Sequence, residues 1–299
     1  MKRETGTYRH VFVICAYKES RYLEECIRSL LDQTVKSTII MVTSTPNESI
    51  SRAAEKYQIP LYVNAGQHGI AQDWNFGYRK ASELGRYVTI AHQDDVYEPG
   101  YTEAALRGLK RNRDSLIFFC GYSELRAASL TEGYSSSFLS DDKAKAASAR
   151  LNESWVKVTS SRLLNVKKGM LLPLRVLAFQ RSRWIRRRLL SFGNPICCPS
   201  VTYNVKRLPE TIFRPEYKSN IDWLAWEELS KKRGAFVYDP RPLMSHRIHE
   251  GSTTTELIEG DSRWREDYAM FRRFWPKWAA DILTRFYRKS EKSNRLEKD

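Results

Sequence analysis

The chain reads as an α/β protein with a mostly parallel central sheet and helices on both of its faces. Three observations predict this. Apolar, β-branched runs alternate with helical patterns over residues 1–122. The runs are apolar at successive rather than alternate positions, as in strands buried on both faces. The order strand, helix, strand implies βαβ units, whose crossovers cover a parallel sheet.

The elements follow in order. His10–Tyr17 (HVFVICAY) predicts a central strand, and Tyr22–Thr34 places Leu23, Cys26, Ile27, Leu30 and Leu31 at helical spacing. Thr38–Val42 predicts a second strand, Ser49–Tyr57 a helix ended before Pro60, and Pro60–Asn64 a short strand. Ile70–Gly85 predicts a helix closing on a glycine, then Tyr87–Ala91 a strand, Gly100–Asn112 a helix and Ser115–Tyr122 a buried strand. Residues 123–160, rich in Ser, Ala and charge, predict a mobile excursion. Residues 161–193 carry nine Arg/Lys and no acid, interleaved with MLLPLRVLAF and WIRRRLLSF. A globular stretch resumes at Gly193, with a helix at Asp222–Gly234 and a strand at Ala235–Asp239. Residues 262–299 predict an amphipathic helical extension and a polar tail.

The 299 residues suit one large domain or two small ones, and 41% hydrophobic content is enough for a sizeable core. The net charge of +15 is uneven. Residues 1–160 hold 21 Lys/Arg against 19 Asp/Glu, whereas residues 161–299 hold 29 against 16. The back half therefore faces something anionic: a phosphorylated ligand, nucleic acid or a membrane surface. No nucleic-acid-binding motif is present, so nucleic acid is not expected. The five cysteines show no zinc spacing and predict reduced thiols in a cytoplasmic protein. The N-terminus does not read as a signal peptide, and no apolar run approaches the ~20 residues of a membrane span. The absence of GxGxxG and GxxxxGK[ST] argues against dinucleotide and P-loop domains.

In parallel sheets ligands bind at the carboxyl ends of the strands, where Tyr17–Glu19, Thr43–Asn47 and His92–Asp95 fall. Asp94 and Asp95 end an interior strand. Adjacent carboxylates there suit a hard divalent cation, Mg²⁺ or Mn²⁺, bridging to phosphate. They also suit a turn with a helix N-cap before Pro99-Gly100. His92 reads as a metal ligand, a diphosphate contact or a satisfied strand-end histidine, with the last two favoured. His246 and His249 are three apart in SHRIHEG and are expected on opposite faces. Trp74 and Trp226 read as packing residues.

Four segments in order resemble the family 2 glycosyltransferases of the GT-A (Rossmann-like) fold. FVICAYKESRYLEECIRSLLDQT resembles the family's opening VxIPxYNxxxYLxxxIxSLLxQT. NAGQHGIAQDWNFGYRKA resembles its N-x-G-x-x-x-A-x-N-x-G-x-x-x-A segment, and YVTIAHQDDVYEPGY its strand and D-x-D. SNIDWLAWEELSKKRGAFVYDPRPLMSHRIHEGSTT resembles the end of its catalytic domain. The resemblance covers residues 10–122 and 194–255. It implies inverting, metal-assisted transfer of a sugar from a nucleoside-diphosphate sugar to a glycan or lipid-linked hydroxyl, in cell-surface polysaccharide assembly.

Carried over residue by residue, Asp222 takes the place of the catalytic base, although it also suits a helix N-cap. Asp94, Asp95 and His249 take the metal positions, for Mn²⁺ or Mg²⁺. Ala16, Tyr17, Glu19, Thr43, Asp73, Asp94 and Arg247 are assigned to the donor; Arg247 reads equally as the partner of a surface acid. His92 stands in place of the first D-x-D aspartate, and Thr43 or Ser44 where an aspartate usually contacts the nucleoside. The implied organisation is a nucleotide-sugar-binding half (1–122), a mobile and basic amphipathic insert (123–193), an acceptor-side half (194–255) and a C-terminal amphipathic helical extension (256–299). The basic aromatic segments suit an anionic membrane surface, or a solvated basic face over an aromatic core. The expected location is cytoplasmic, peripheral to the inner membrane face. Two other functions are weighed. A basic surface-binding protein could keep the fold without catalysis. A nucleotidyltransferase would need a glycine-rich loop after the first strand, and AYKESRY has no glycine.

Overall fold

The computed structural model describes residues 10–128, 155–249 and 262–296. The first half runs β1 (His10–Ala16), α1 (Leu23–Leu31), β2 (Thr38–Thr43), α2 (Glu48–Lys56), β3 (Leu61–Val63), α3 (Ile70–Leu84), β4 (Tyr87–His92), β5 (Val96–Tyr97), α4 (Tyr101–Arg111) and β6 (Ser115–Ala127). The second runs β7 (Trp155–Val158), α5 (Arg162–Leu171), α6 (Leu177–Arg181), α7 (Arg183–Leu190), β8 (Val201–Asn204), α8 (Ile221–Ser230), β9 (Ala235–Arg247), α9 (Ser262–Arg272) and α10 (Lys277–Leu296).

The strands form one sheet in the order β3-β2-β1-β4-β8-β6-β9-β5, with β7 also on β6. The expected parallel unit is β3-β2-β1-β4. Beyond it the sheet is mixed. β8 runs antiparallel between β4 and β6, β9 is parallel to β6, and β5 is antiparallel to β9. β1 is buried on both faces: Val11 and Val13 enter one core, Phe12 and Ile14 the other.

The glycine and alanines of α3 let it approach the sheet closely. A Cβ at Gly77 would stand 3.0 Å from side-chain atoms of Val13 and Val42, and Ala71 and Ala81 are buried beside it. Asn75 accepts from the Ile212 and Phe213 amides at 2.9 and 3.0 Å and donates to the Phe213 carbonyl at 2.7 Å. The asparagine of this segment thus clamps a loop of the second half.

Two expectations are corrected. Residues 123–127 continue β6 and residues 155–158 pair with them as β7, so the excursion is narrower than 123–160; residues 129–154 lie outside the described residues. β9 runs on from Asp239 to Arg247 despite Pro240 and Pro242, because it bulges there. Gly121 opposite makes room: a Cβ on it would meet the Pro240 carbonyl at 2.6 Å. The C-terminal extension is two helices, parted at Pro276, which cannot donate to a preceding turn.

The basic segment is packed rather than free. Arg186 is buried, donates to the Gly234 and Lys232 carbonyls and lies 4.7 Å from the Phe236 ring. Arg181 pairs with Asp114, and Lys167 donates to the Tyr122 hydroxyl. Buried Glu227 on α8 gathers Arg187 from α7, Lys231 from the C-cap of its own helix, and Arg273 from the turn after α9. Burial alone would raise its carboxyl, but these three cations hold it below the ordinary glutamate value. Glu227→Gln is therefore expected to lower stability in urea unfolding by about 2 kcal/mol at neutral pH. The wild-type advantage should be complete above about pH 4.5 and vanish as pH falls through the depressed folded value.

Candidate active site

The chain order β1-β2-β3 runs one way from β1, and β4 lies on its other side. The crevice at this reversal is where an α/β sheet receives a ligand. Register sets Ala16 beside Thr43 and Cys15 beside His92. Past the strand ends, the Tyr17 amide donates to Gln93 Oε1 at 2.9 Å and Gln93 Nε2 donates to the Tyr17 carbonyl at 2.8 Å. Lys18 has a φ of 54°, an uncommon left-handed conformation for a non-glycine, and its amide is held by the Thr45 hydroxyl. Tyr17 and Glu19 are exposed above this clamp, while Ala16 is buried.

Thr43 and Asp73 serve the neighbouring loops. The Thr43 hydroxyl accepts from the Thr45 amide. The Asp73 carboxylate accepts from the Ser44 hydroxyl at 2.6 Å and from Asn64 Nδ2 at 2.7 Å, joining the ends of β2 and β3 to the first turn of α3. Asp73 thus sets a carboxylate beside Ser44, one of the two residues that stand where the family has an aspartate.

The acidic tip is enclosed by histidines. Asp95 is fully buried, and its Oδ1 accepts from His246 Nδ1 at 2.9 Å and from the Arg247 amide at 3.0 Å. Asp94 Oδ2 pairs with His249 Nε2 at 3.0 Å. Burial opposes charge on both groups. The Asp95 carboxylate nevertheless raises His246 to about 9, and the His249 hydrogen bond with nearby His92 and His246 lowers Asp94 below its ordinary value. His246 and His249 were expected on opposite faces; both meet the acidic pair. The reason is that β9 ends at Arg247, so the alternation of a strand no longer governs His249.

His92, Asp94 and Asp95 each offer a ligand atom, all within 4.8 Å of one another. Asp95 Oδ2 and His92 Nε2 are buried without a hydrogen-bond partner. Such orphaned atoms are costly unless something binds them. His92 is thus no satisfied strand-end residue, and it joins the acids where His249 had been expected; His249 supports Asp94 from behind. Burial outweighs the two aspartates and lowers the pKa of His92, leaving a neutral ring able to donate a lone pair. One nitrogen and two carboxylates fit Mn²⁺ or Mg²⁺. Neither acid caps α4, whose N-cap is Gly100. Trp226 is core, as expected, but Trp74 stacks on His92 at 5.0 Å and walls the cluster.

Arg247 is fully buried between the rings of Tyr22 and Trp155, each 4.4 Å from its guanidinium. It donates to the Asp94 carbonyl at 3.0 Å and to Glu25 at 2.6 Å. The surface acid is thus one partner of Arg247, and its Nη1 is buried without a hydrogen-bond partner.

Asp222 lies in the first turn of α8, half-buried, and does not cap it; the N-cap is Asn220. It accepts from Asn194 Nδ2 and from the Trp223 amide, each at 2.7 Å. Burial raises its pKa above the ordinary aspartate value in spite of these bonds. Of the four charges that act on His92, that of Asp222 is the weakest.

The comparisons with known proteins bear on the family and the fold. The family model described as glycosyl transferase family 2 matches residues 11–159. The chain belongs to glycosyl transferase family 2. By family it is a transferase enzyme, of GT-A fold. A curated Haemophilus influenzae protein named "Uncharacterized glycosyltransferase" is 23% identical over 255 residues, covering 81% of this chain and 66% of that protein. The chain thus spans just under two thirds of that relative's length. Among solved structures, S. aureus TarS 1–349 in complex with UDP-GlcNAc aligns with a TM-score of 0.52 at 15% identity, over 92% of this chain and 70% of that one. The mannosyltransferase PcManGT from Pyrobaculum calidifontis, in complex with GDP-Man and Mn²⁺, aligns with a TM-score of 0.55 at 14% identity, over 93% and 70%. At these identities the likeness is one of fold.

For this member of glycosyl transferase family 2, sequence reading missed Gln93, Asn194 and His246. Gln93 lies inside the HQDD run, but nothing in that run shows that its amide reaches across to Tyr17. Asn194 carries no signal at all, being 28 residues from Asp222. Arg247→Lys keeps a charge but loses the planar stack and the fixed fork. It is expected to lower the urea midpoint, by about 2 kcal/mol of stability, and to change the near-ultraviolet circular dichroism from Trp155.

Proposed function

We propose that the chain transfers a sugar from a nucleoside-diphosphate sugar to the hydroxyl of a glycan or lipid-linked acceptor, with inversion, in cell-surface polysaccharide assembly. The observation that carries this reading is the His92–Asp94–Asp95 cluster at the end of β4, and a separate carboxylate of raised pKa, Asp222, supports it. The names of the aligned structures, with UDP-GlcNAc and with GDP-Man and Mn²⁺, support a nucleotide-sugar donor.

His92, Asp94 and Asp95 would hold the divalent cation, which when bound supplies positive charge against the diphosphate leaving group. His246 and Arg247 fix Asp95, and His249 fixes Asp94, so the ligand atoms are set before the donor arrives. Asp222 takes the acceptor hydroxyl's proton at a carboxylate oxygen as the hydroxyl attacks. Asn194 and the Trp223 amide orient that carboxylate. With Asp222 as base and the acids of the cluster given to the cation, the acceptor oxygen displaces the diphosphate directly, hence inversion. The rival without catalysis rested on the missing first aspartate; the unpaired ring nitrogen of His92 in the cluster favours the metal-assisted reading.

Titration calorimetry with UDP- and GDP-sugars in Mn²⁺ tests the roles. Asp94→Asn is expected to weaken metal-dependent donor binding at least tenfold, a loss of about 1.4 kcal/mol. Asp222→Asn should bind donor normally and slow transfer by about 10³. The acid limb of the wild-type rate profile should lie above the ordinary aspartate value of 3.8, since transfer needs Asp222 ionised and its pKa is raised. Normal turnover in both variants overturns the assignment.

A further inference from the structure

We infer that one face of the second half, made by α7 and α10, docks on an anionic lipid surface. α10 is apolar on two sides. Its inward side buries Ala280 and packs Tyr287 against Trp223 and Phe271. Its outward side carries Trp278, Ile282 and Phe286, spaced four apart and therefore in one row along the helix. Trp278 and Phe286 are each 69% exposed and Ile282 46%. Leaving three such side chains in water forfeits apolar burial that a soluble helix would ordinarily take.

The row is continuous with a second one. On α7 and just beyond it, Trp184, Arg188 and Phe192 repeat the same spacing. Trp275, three residues before Trp278, joins them. Its ring lies 5.5 Å from Phe192 and 4.8 Å from the Arg188 guanidinium, and its Nε1 donates to the Ser191 carbonyl at 2.7 Å. Trp184 is 69% exposed, and the Arg188 guanidinium stands 5.6 Å from its ring.

Charge selects the occupant. Residues 161–193 contain no acid, and exposed Arg183, Arg188, Lys277 and Arg285 border the two rows. Tryptophan and phenylalanine flanked by arginine and lysine suit the headgroup boundary of a bilayer, where rings insert and cations meet anionic lipid. No helix among the described residues is long and apolar enough to cross a membrane, so the contact is a docking and not a span. Since the inward side of α10 touches Trp223, the residue after Asp222, docking brings the site towards a lipid-linked acceptor. Only this last step rests on the transfer reading; the lipid contact stands without it.

Co-sedimentation of the full chain with vesicles separates the outcomes. Vesicles of phosphatidylcholine with one third phosphatidylglycerol, as an order-of-magnitude composition, should bind the wild type, and pure phosphatidylcholine should bind it at least about tenfold more weakly. Trp278→Glu/Phe286→Glu should lower binding to the anionic vesicles by about tenfold or more, with an unchanged thermal midpoint. Lys277→Glu/Arg183→Glu should lower it too and flatten its salt dependence. Val63→Glu, exposed on the edge strand β3, should bind as the wild type does. Equal binding by the wild type and the Trp278/Phe286 variant overturns the inference. So does a wild type that ignores vesicles and instead self-associates in the ultracentrifuge through these residues.

Discussion

A carboxylate shut away from water, Asp95, constrains the rest of the molecule. An ion removed from solvent costs several kcal/mol unless its oxygens are satisfied. Asp95 meets that cost for Oδ1 with two bonds from the end of β9, one from a histidine ring and one from a backbone amide. Both donors come from some 150 residues further along the chain, as the 151-residue separation of Asp95 and His246 shows. The end of β4 and the end of β9 must therefore meet, although β8 and β6 lie between these strands in the sheet. The two-residue β5 achieves this by pairing Val96 with Ser245. Oδ2 is left with no donor, and that residual is the physical reason to place a cation there.

A few ångströms away a cation is buried by a different device. Arg247 gives its amide to Asp95, its Nε to the Asp94 carbonyl and a guanidinium nitrogen to Glu25, while two aromatic rings cover its faces. Tyr22 also packs against His249 at 5.0 Å, so the ring that covers the arginine also positions the partner of Asp94. The acidic tip is thus held by histidines and by an arginine engaged on the Asp94 carbonyl and on Glu25. The remaining guanidinium nitrogen, Nη1, is buried without a hydrogen-bond partner.

How much of this was legible in the sequence depends on the range of the interaction. Local periodicity located the elements from β1 to α4, except the two-residue β5, within a few residues, because strands buried on both faces and helices with one apolar stripe leave marks in consecutive positions. The order of motifs located Asp94, Asp95 and Asp222. What could not be read was pairing at a distance. That Asp73 is spent on Ser44 and Asn64, that Asn75 holds residues 212–213, and that His246 turns to Asp95 are facts of tertiary placement. The histidines failed for a definable reason. The period-2 rule was applied past the point where β9 stops, and a strand's last residue carries no signature when prolines occur within it.

Charge illustrates the same limit in the second half. The excess of 29 Lys/Arg over 16 Asp/Glu after residue 160 suggested one broad basic field. The fold divides it. Lys167, Arg186 and Arg187 are spent inside, on a tyrosine, two carbonyls and Glu227, while exposed Arg181 pairs with Asp114. Arg187 fastens α7 to α8, the helix that carries Asp222; the others tie α5 to β6, α6 to the residue before β6, and α7 to the turn after α8. The cations left outside are fewer, but they border exposed aromatic rows on helices made rigid by the ones turned inward. A basic amphipathic sequence could have been a free arm; here its inward cations hold it against the rest of the fold.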